Sequence, residues 1–279
     1  MDTVVARELI NMGFAHDRVL RVTNGGTAVD LAVALEALLS EGKEGDMSDE
    51  RVLMLGISQY TFSEVGASAC SSICASALIF LLEHYERGDR RGGFVSLNEA
   101  TLGDAVTAGV VAHAELSAGG VHDDVSAHMS VEDLIMLRQD VSDQLLKVHT
   151  DVPLQGLVSD PSAFDRLLNH SARLAPNPRK PLGIVITKPP ETVLVLLIGG
   201  EEEGEKKYVL FDPHSRPQLG FEGSYLVESP RRADIVARLR CLFPSCDGLD
   251  FGGGGMDTYA FEALSSFEMN VYQLVVRAT

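Results

Sequence analysis

Two short stretches, SACSSIC at residues 68–74 and FDPHSR at 211–216, hold the side chains with the greatest chemical reach. The first contains Cys70 and Cys74, and the second places Asp212 and His214 on either side of Pro213. A thiol becomes a good nucleophile once ionised, so it needs a base to take its proton and donors to hold the oxyanion it creates. An imidazole serves as that base when an acceptor fixes its tautomer and stabilises its protonated form. Side chains two apart on an extended segment share a face, so Asp212 and His214 project together and the carboxylate can orient the ring. Pro213 removes a backbone donor and fixes the local geometry, which suits the end of a strand. Taken alone, D-P-H is better explained as a polar turn. A suitably placed cysteine changes that balance.

The elements that must position these groups are legible around them. After GASA, residues Cys74, Ala77, Leu78, Leu81 and Leu82 recur at helical spacing, which predicts a buried helix with Cys70 in its first turn and Ser68 as a cap. The positive end of a helix favours a thiolate, and backbone donors of the same turn can hold an oxyanion. Cys74 falls one turn further on the buried face, where a cysteine is a small apolar residue, so Cys70 is the expected nucleophile. Gln59, eleven positions before Cys70, is a candidate side-chain donor to the oxyanion. Loop glutamines are common, and this one gains meaning only beside a histidine base. The other histidines (His16, His84, His113, His122, His128, His149 and His170) lie in helical or loop segments without metal-ligand spacing and are expected as surface or packed residues.

On the base side, LGIVITKPPETVLVLLIGGEEEGEKKYVLFDPH predicts strands at about 182–187, 192–198 and 207–212 in an antiparallel meander. VLMLGI and ALSSFEMNVYQLVVRAT predict further strands, and SRPQLGFEGSYLVES a strand returning after the histidine. LGDAVTAGVVAHAEL, VEDLIMLRQDVSDQLLKVH, SDPSAFDRLLNHSARL and RRADIVARLRCLF carry helical signals. FGGGGMD lacks the Lys-Ser or Lys-Thr of a phosphate loop and predicts a flexible loop.

Composition narrows the class. The chain has 279 residues, 45% of them apolar and 23% charged, enough for one large domain or a medium one with a small companion. A net charge of −17 lacks the basic stripe that phosphate backbones require, so nucleic acid is not an expected partner. No window has the roughly 18 continuous apolar residues of a membrane span, and MDTVVARELINMGF does not have the pattern of a signal peptide. Neither a membrane nor a leader is expected. Four cysteines in a chain of this length do not make a disulfide framework, although Cys241 and Cys246 could pair; a reducing, cytoplasmic compartment is expected, with the nucleus also open. No metal site or cofactor is expected. The oligomeric state is left open.

Residues 1–41 stand apart as three short helices punctuated by Gly13 and Gly25-Gly26. Met12-Gly13-Phe14 after the first helix, the Asn24-Gly25-Gly26 turn and the closing Leu38-Leu39 resemble a ubiquitin-associated (UBA) domain. TAVDLAVAL departs from that family's usual Asn-rich start to the third helix. The resemblance implies a ubiquitin-binding surface made of Met12, Gly13, Phe14, Leu38 and Leu39. The alternative is a helical cap that packs on the main domain with those residues buried. Residues 42–51, rich in charge and glycine, predict a linker to a domain at 52–279.

Taken together, Gln59, Cys70 at a helix start and Asp212-Pro213-His214 after an apolar strand resemble the papain-like deubiquitinases of the herpesvirus large tegument protein and their cellular relatives. The resemblance spans about 52–279, with few motif anchors; the region from about 100 to 180 matches only in being helical. It implies an α+β papain-like fold, a helical lobe packed on an antiparallel sheet. It also implies thiol-dependent hydrolysis of the isopeptide bond after ubiquitin's last glycine. Cys70 would be the nucleophile, His214 the base, Asp212 its orienter, and Gln59 with the Cys70 backbone N–H the oxyanion donors. Ubiquitin or polyubiquitin is then the expected partner. Two other readings stay open: a cysteine protease for a ubiquitin-like modifier, and an inactive ubiquitin-binding adaptor.

Overall fold

LGIVITK and ETVLVLLI are apolar at consecutive positions rather than alternate ones, a pattern that suits strands covered on both faces. The computed structural model describes residues 50–90, 97–118, 129–148, 153–199, 206–243 and 265–275. The three-helix stretch at 1–41, Cys246 and FGGGGMD lie outside them. Among the described residues the strands are β1 (Arg51–Met54), β2 (Leu145–Lys147), β3 (Leu154–Leu157), β4 (Leu182–Lys188), β5 (Glu191–Ile198), β6 (Lys207–Asp212), β7 (Tyr225–Ser229) and β8 (Ser266–Leu274). They form one sheet in the order β1-β7-β6-β5-β4-β8-β2, and β3 pairs with β8 beside β2. Every pairing described is antiparallel.

Helices cover both faces. On one lies α1 (Cys70–Arg90), backed by α2 (Glu99–Ala118) and α3 (Val131–Leu137); on the other lie α4 (Ala163–Leu174) and α5 (Arg232–Leu242). Alternation along the strands divides the core in two. Val185, Leu194, Leu196, Val209 and Phe211 pack with Ile73, Leu78, Leu81 and Leu82 of α1. Ile184, Ile186, Val193, Val195 and Leu210 pack with Phe164 and Leu168 of α4 and Ile235 and Leu239 of α5. Period-two alternation sends adjacent apolar residues to different cores, which is why neither strand has a polar face.

The fold is thus a mixed α+β architecture with an antiparallel sheet, as expected, and the helices lie on both sides of it. The meander comes out at β4, β5 and β6, and the strand after the histidine is β7. Two expectations are corrected. VEDLIMLRQDVSDQLLKVH is not one helix: α3 ends at Leu137, a single turn follows at Gln139–Ser142, and LLK becomes β2. LQGL at 154–157 is also a strand, β3, inside a region expected to be helical. The long edge of β8 decides both cases, because it offers pairing positions that local propensity does not reveal. No helix among the described residues is long and apolar enough to cross a membrane.

Candidate active site

The site forms where the end of β6 meets the start of α1. β6 stops at Asp212, and Pro213 blocks further ladder pairing. The Asp212 carboxylate then accepts the backbone N–H of His214 through Oδ1 at 2.9 Å, closing an Asx-type turn. That turn brings the ring round, and His214 Nδ1 lies 2.5 Å from the same Oδ1. The segment is clasped from below. The Pro213 carbonyl accepts the Ser224 hydroxyl at 2.7 Å and the Gln59 backbone N–H at 3.1 Å.

Cys70 is the first residue of α1, as the pattern of small and apolar residues predicts. Its thiol neighbours His214 and helps raise the imidazole. With Nδ1 committed to Asp212, Nε2 is the ring nitrogen left to meet the sulfur. The thiol also lies 3.6 Å from the carbonyl oxygen of Pro190, in the β4–β5 hairpin. The first turns of α1 are tied to that hairpin by a Ser71–Thr192 hydroxyl contact of 3.0 Å and by Cys74 Sγ donating to the Thr192 carbonyl at 3.4 Å. Cys74 is fully buried, and burial pushes its thiol well above the ordinary range, which suits a structural role.

The second carboxylate oxygen of Asp212 is also occupied. Oδ2 accepts Arg216 Nε at 2.9 Å and the Tyr225 hydroxyl at 3.3 Å, and Tyr225 is its cross-strand neighbour on β7. Arg216 is held by an antiparallel bridge to Phe221 across a tight turn, in which Gly220 adopts φ +81°, a left-handed conformation suited to glycine. The outer end of its guanidinium grips Glu191 at two points, 2.8 and 2.9 Å. Glu191 follows Pro190 directly, so the contacts run from Cys70 through His214, Asp212 and Arg216 to Glu191 and return through the hairpin to the thiol.

The electrostatics follow from this geometry. Burial works against a charged His214, but the hydrogen bonds and charges of Asp212 and Cys70 outweigh it and push the imidazole up to about 9. Burial likewise opposes an ionised Asp212, yet its bonds to His214 and the Arg216 charge hold the carboxyl below the usual range. The phenol of Tyr60, whose ring centroid is 6.1 Å from that of His214, is pushed up by burial and then by Glu191.

Gln59 sits at the start of a single 3-10 turn and is buried. Its Nε2 donates to the Ala67 carbonyl at 3.3 Å, while among the described residues its Oε1 finds no partner. The chain closes tightly over it: a Cβ on Gly66 would lie 1.8 Å from the Gln59 carbonyl oxygen. Ser68, expected as the cap, hydrogen-bonds His113 Nε2 at 2.9 Å, and His113 is a packed histidine.

The structure therefore gathers Cys70, His214, Asp212 and Gln59 into one buried site. Met12, Gly13, Phe14, Leu38 and Leu39 lie outside the described residues. Arg216, Glu191 and Tyr225 join the site without having been singled out in the sequence. The Asp212-to-Arg216 spacing was the available signal for Arg216, but an arginine shortly after a turn ordinarily belongs to solvent. Among the described residues no cluster of His, Cys, Asp or Glu is arranged to hold a metal ion.

No family profile matches the chain, and no curated protein matches it. Among solved structures, the chain is similar to the ubiquitin-specific protease encoded by a murine cytomegalovirus tegument protein, solved in complex with a ubiquitin-based suicide substrate. The two share 12% identity at a TM-score of 0.49, over 82% of this chain and 88% of that one.

Proposed function

We propose that this protein is a thiol-dependent deubiquitinase, hydrolysing the isopeptide bond after the last glycine of ubiquitin with Cys70 as nucleophile. The observation that carries this reading is a buried His214 held by Asp212 at 2.5 Å, with its imidazole raised by Asp212 and by the neighbouring Cys70. His214 takes the thiol proton through Nε2, and the thiolate attacks the glycine carbonyl carbon, forming a C–S bond. The Gln59 amide, turned from Ala67, and N–H groups at the first turn of α1 stabilise the oxyanion. His214 returns its proton to the lysine amine as the C–N bond breaks. Water then attacks the thioester, gives His214 its proton, and the C–S bond breaks to release the carboxylate. Asp212 keeps the ring aligned and its charge balanced.

Burial supports a slim substrate. Cys70 is 1% exposed and His214 2%, so the reacting atoms admit an extended main chain more readily than bulky side chains. A Gly-Gly terminus meets that demand. The UBA-like stretch at 1–41 belongs to the same reading as a second ubiquitin-binding module.

A panel of electrophilic probes built on ubiquitin and on ubiquitin-like modifiers tests the assignment. Labelling by ubiquitin alone supports it. Labelling by another modifier alone moves the substrate to that modifier, and no labelling by any probe leaves a binding adaptor.

A further inference from the structure

We infer that Arg216 and Glu191 are positioning residues whose charges set the ionisation of the Cys70–His214 pair. The inference rests on the proposed thiol chemistry but not on ubiquitin as the substrate.

Signs alternate along the contacts. Glu191 grips Arg216 at two points, Arg216 Nε holds Asp212 Oδ2 at 2.9 Å, and Asp212 Oδ1 holds His214 at 2.5 Å. Arg216 Nη2 also comes within 3.5 Å of His214 Nδ1. Asp212 is fully buried, and a carboxylate in that position needs a countercharge beyond a histidine whose own charge comes and goes during the reaction. Arg216 cannot lose its proton, so it supplies a constant one. Its fork also fixes which carboxylate oxygen remains for His214. Glu191 limits how much of that positive charge reaches the imidazole, and as the residue after Pro190 it keeps the hairpin carbonyl against the thiol.

The charged and titratable groups around His214 come from several elements. Asp212 and Arg216 lie on its own segment, Cys70 and Cys74 on α1, Glu191 on the hairpin, Tyr60 on the 3-10 turn and Tyr225 on β7. Of these, Arg216 and Glu191 are an oppositely charged pair that lies outside the Cys70, His214 and Asp212 contacts themselves. Neutralising one must therefore move the pair in the opposite direction from neutralising the other.

The test measures iodoacetamide alkylation of Cys70 in the full chain against pH, with the modified cysteine identified by peptide mass. It needs no ubiquitin. In the wild type the rate should already be substantial well below the midpoint of an ordinary thiol. Removing a positive charge raises every neighbouring pKa, so R216Q should move the onset up by about one pH unit; E191Q should move it down. R216K, which keeps the charge but loses the fork, should retain the wild-type onset. Glu191 is partly exposed, so E191Q reads the effect even if R216Q unfolds. Wild-type-like onsets in both charge variants, or shifts in the same direction, overturn the inference. An ordinary thiol midpoint in the wild type itself removes the thiol chemistry on which the inference rests, and overturns both.

Discussion

Asp212 touches His214 twice with one oxygen: Oδ1 accepts the backbone N–H at 2.9 Å and meets ring Nδ1 at 2.5 Å. A single carboxylate oxygen thus sets both the turn that presents the imidazole and the tautomer it carries. Asp212→Asn keeps the shape but loses the charge, and it can place an amide N–H where an acceptor is needed. Turnover of a ubiquitin C-terminal amide should fall by about 100-fold or more. The melting temperature should drop as well, because Arg216 is left beside a neutral partner. Near-wild-type turnover in Asp212→Asn would remove the acid from the account.

The same pair makes stability depend on pH at both ends. The His214 pKa is raised to about 9 from 6.5, so its contribution is complete below the unfolded value and is lost as pH rises through about 9. Asp212 is depressed, so its contribution is present above the unfolded value and is lost as pH falls through the folded one. Each pKa unit is worth about 1.4 kcal/mol. Urea unfolding of the wild type and His214→Gln should therefore differ most in the neutral-to-mildly-acidic range and converge toward about pH 10. A difference that stays constant across that alkaline range contradicts the ion-paired geometry.

Gln59 holds a buried amide whose oxygen has no partner among the described residues, a stability cost that a role in the reaction would explain. On the proposed oxyanion role, Gln59→Ala should lower kcat by about 100-fold with little change in KM. Its melting temperature should hold or rise. A KM effect alone would assign Gln59 to substrate binding instead.

Gly66 tests the support behind that glutamine. A methyl group there would meet the Gln59 carbonyl at 1.8 Å, and Gln59 is bonded in turn to Pro213. Gly66→Ala should therefore lower both thermal stability and kcat, by at least about 10-fold for the latter. Wild-type activity in Gly66→Ala would show that the turn at 59–66 does not set the geometry of the site.

Much of this site could be read from the sequence because its anchors are local. Asp212 and His214 flank one proline at a strand end, and Cys70 follows small residues at the head of an apolar helical pattern. Helical spacing separated Cys70 from Cys74, because it puts Cys74 one turn on along the packed face. Arg216 and Glu191 escaped notice for the opposite reason. Their bridge spans 25 positions and exists only because the hairpin and the turn after His214 fold against each other. β2 and β3 were hidden likewise: LLK and LQGL are too short to signal themselves, and the edge of β8 recruits them. Of the pairings made across the fold, Cys70 with His214 was reached only through the family resemblance, and the bridge of Arg216 to Glu191 not at all.

The most direct test is intact-mass analysis of the full chain after reaction with a ubiquitin C-terminal electrophile. The wild type and Cys74→Ala should each gain one ubiquitin, His214→Ala should gain it far more slowly, and Cys70→Ala should gain none. An adduct on Cys70→Ala, or its loss only in Cys74→Ala, would contradict the account.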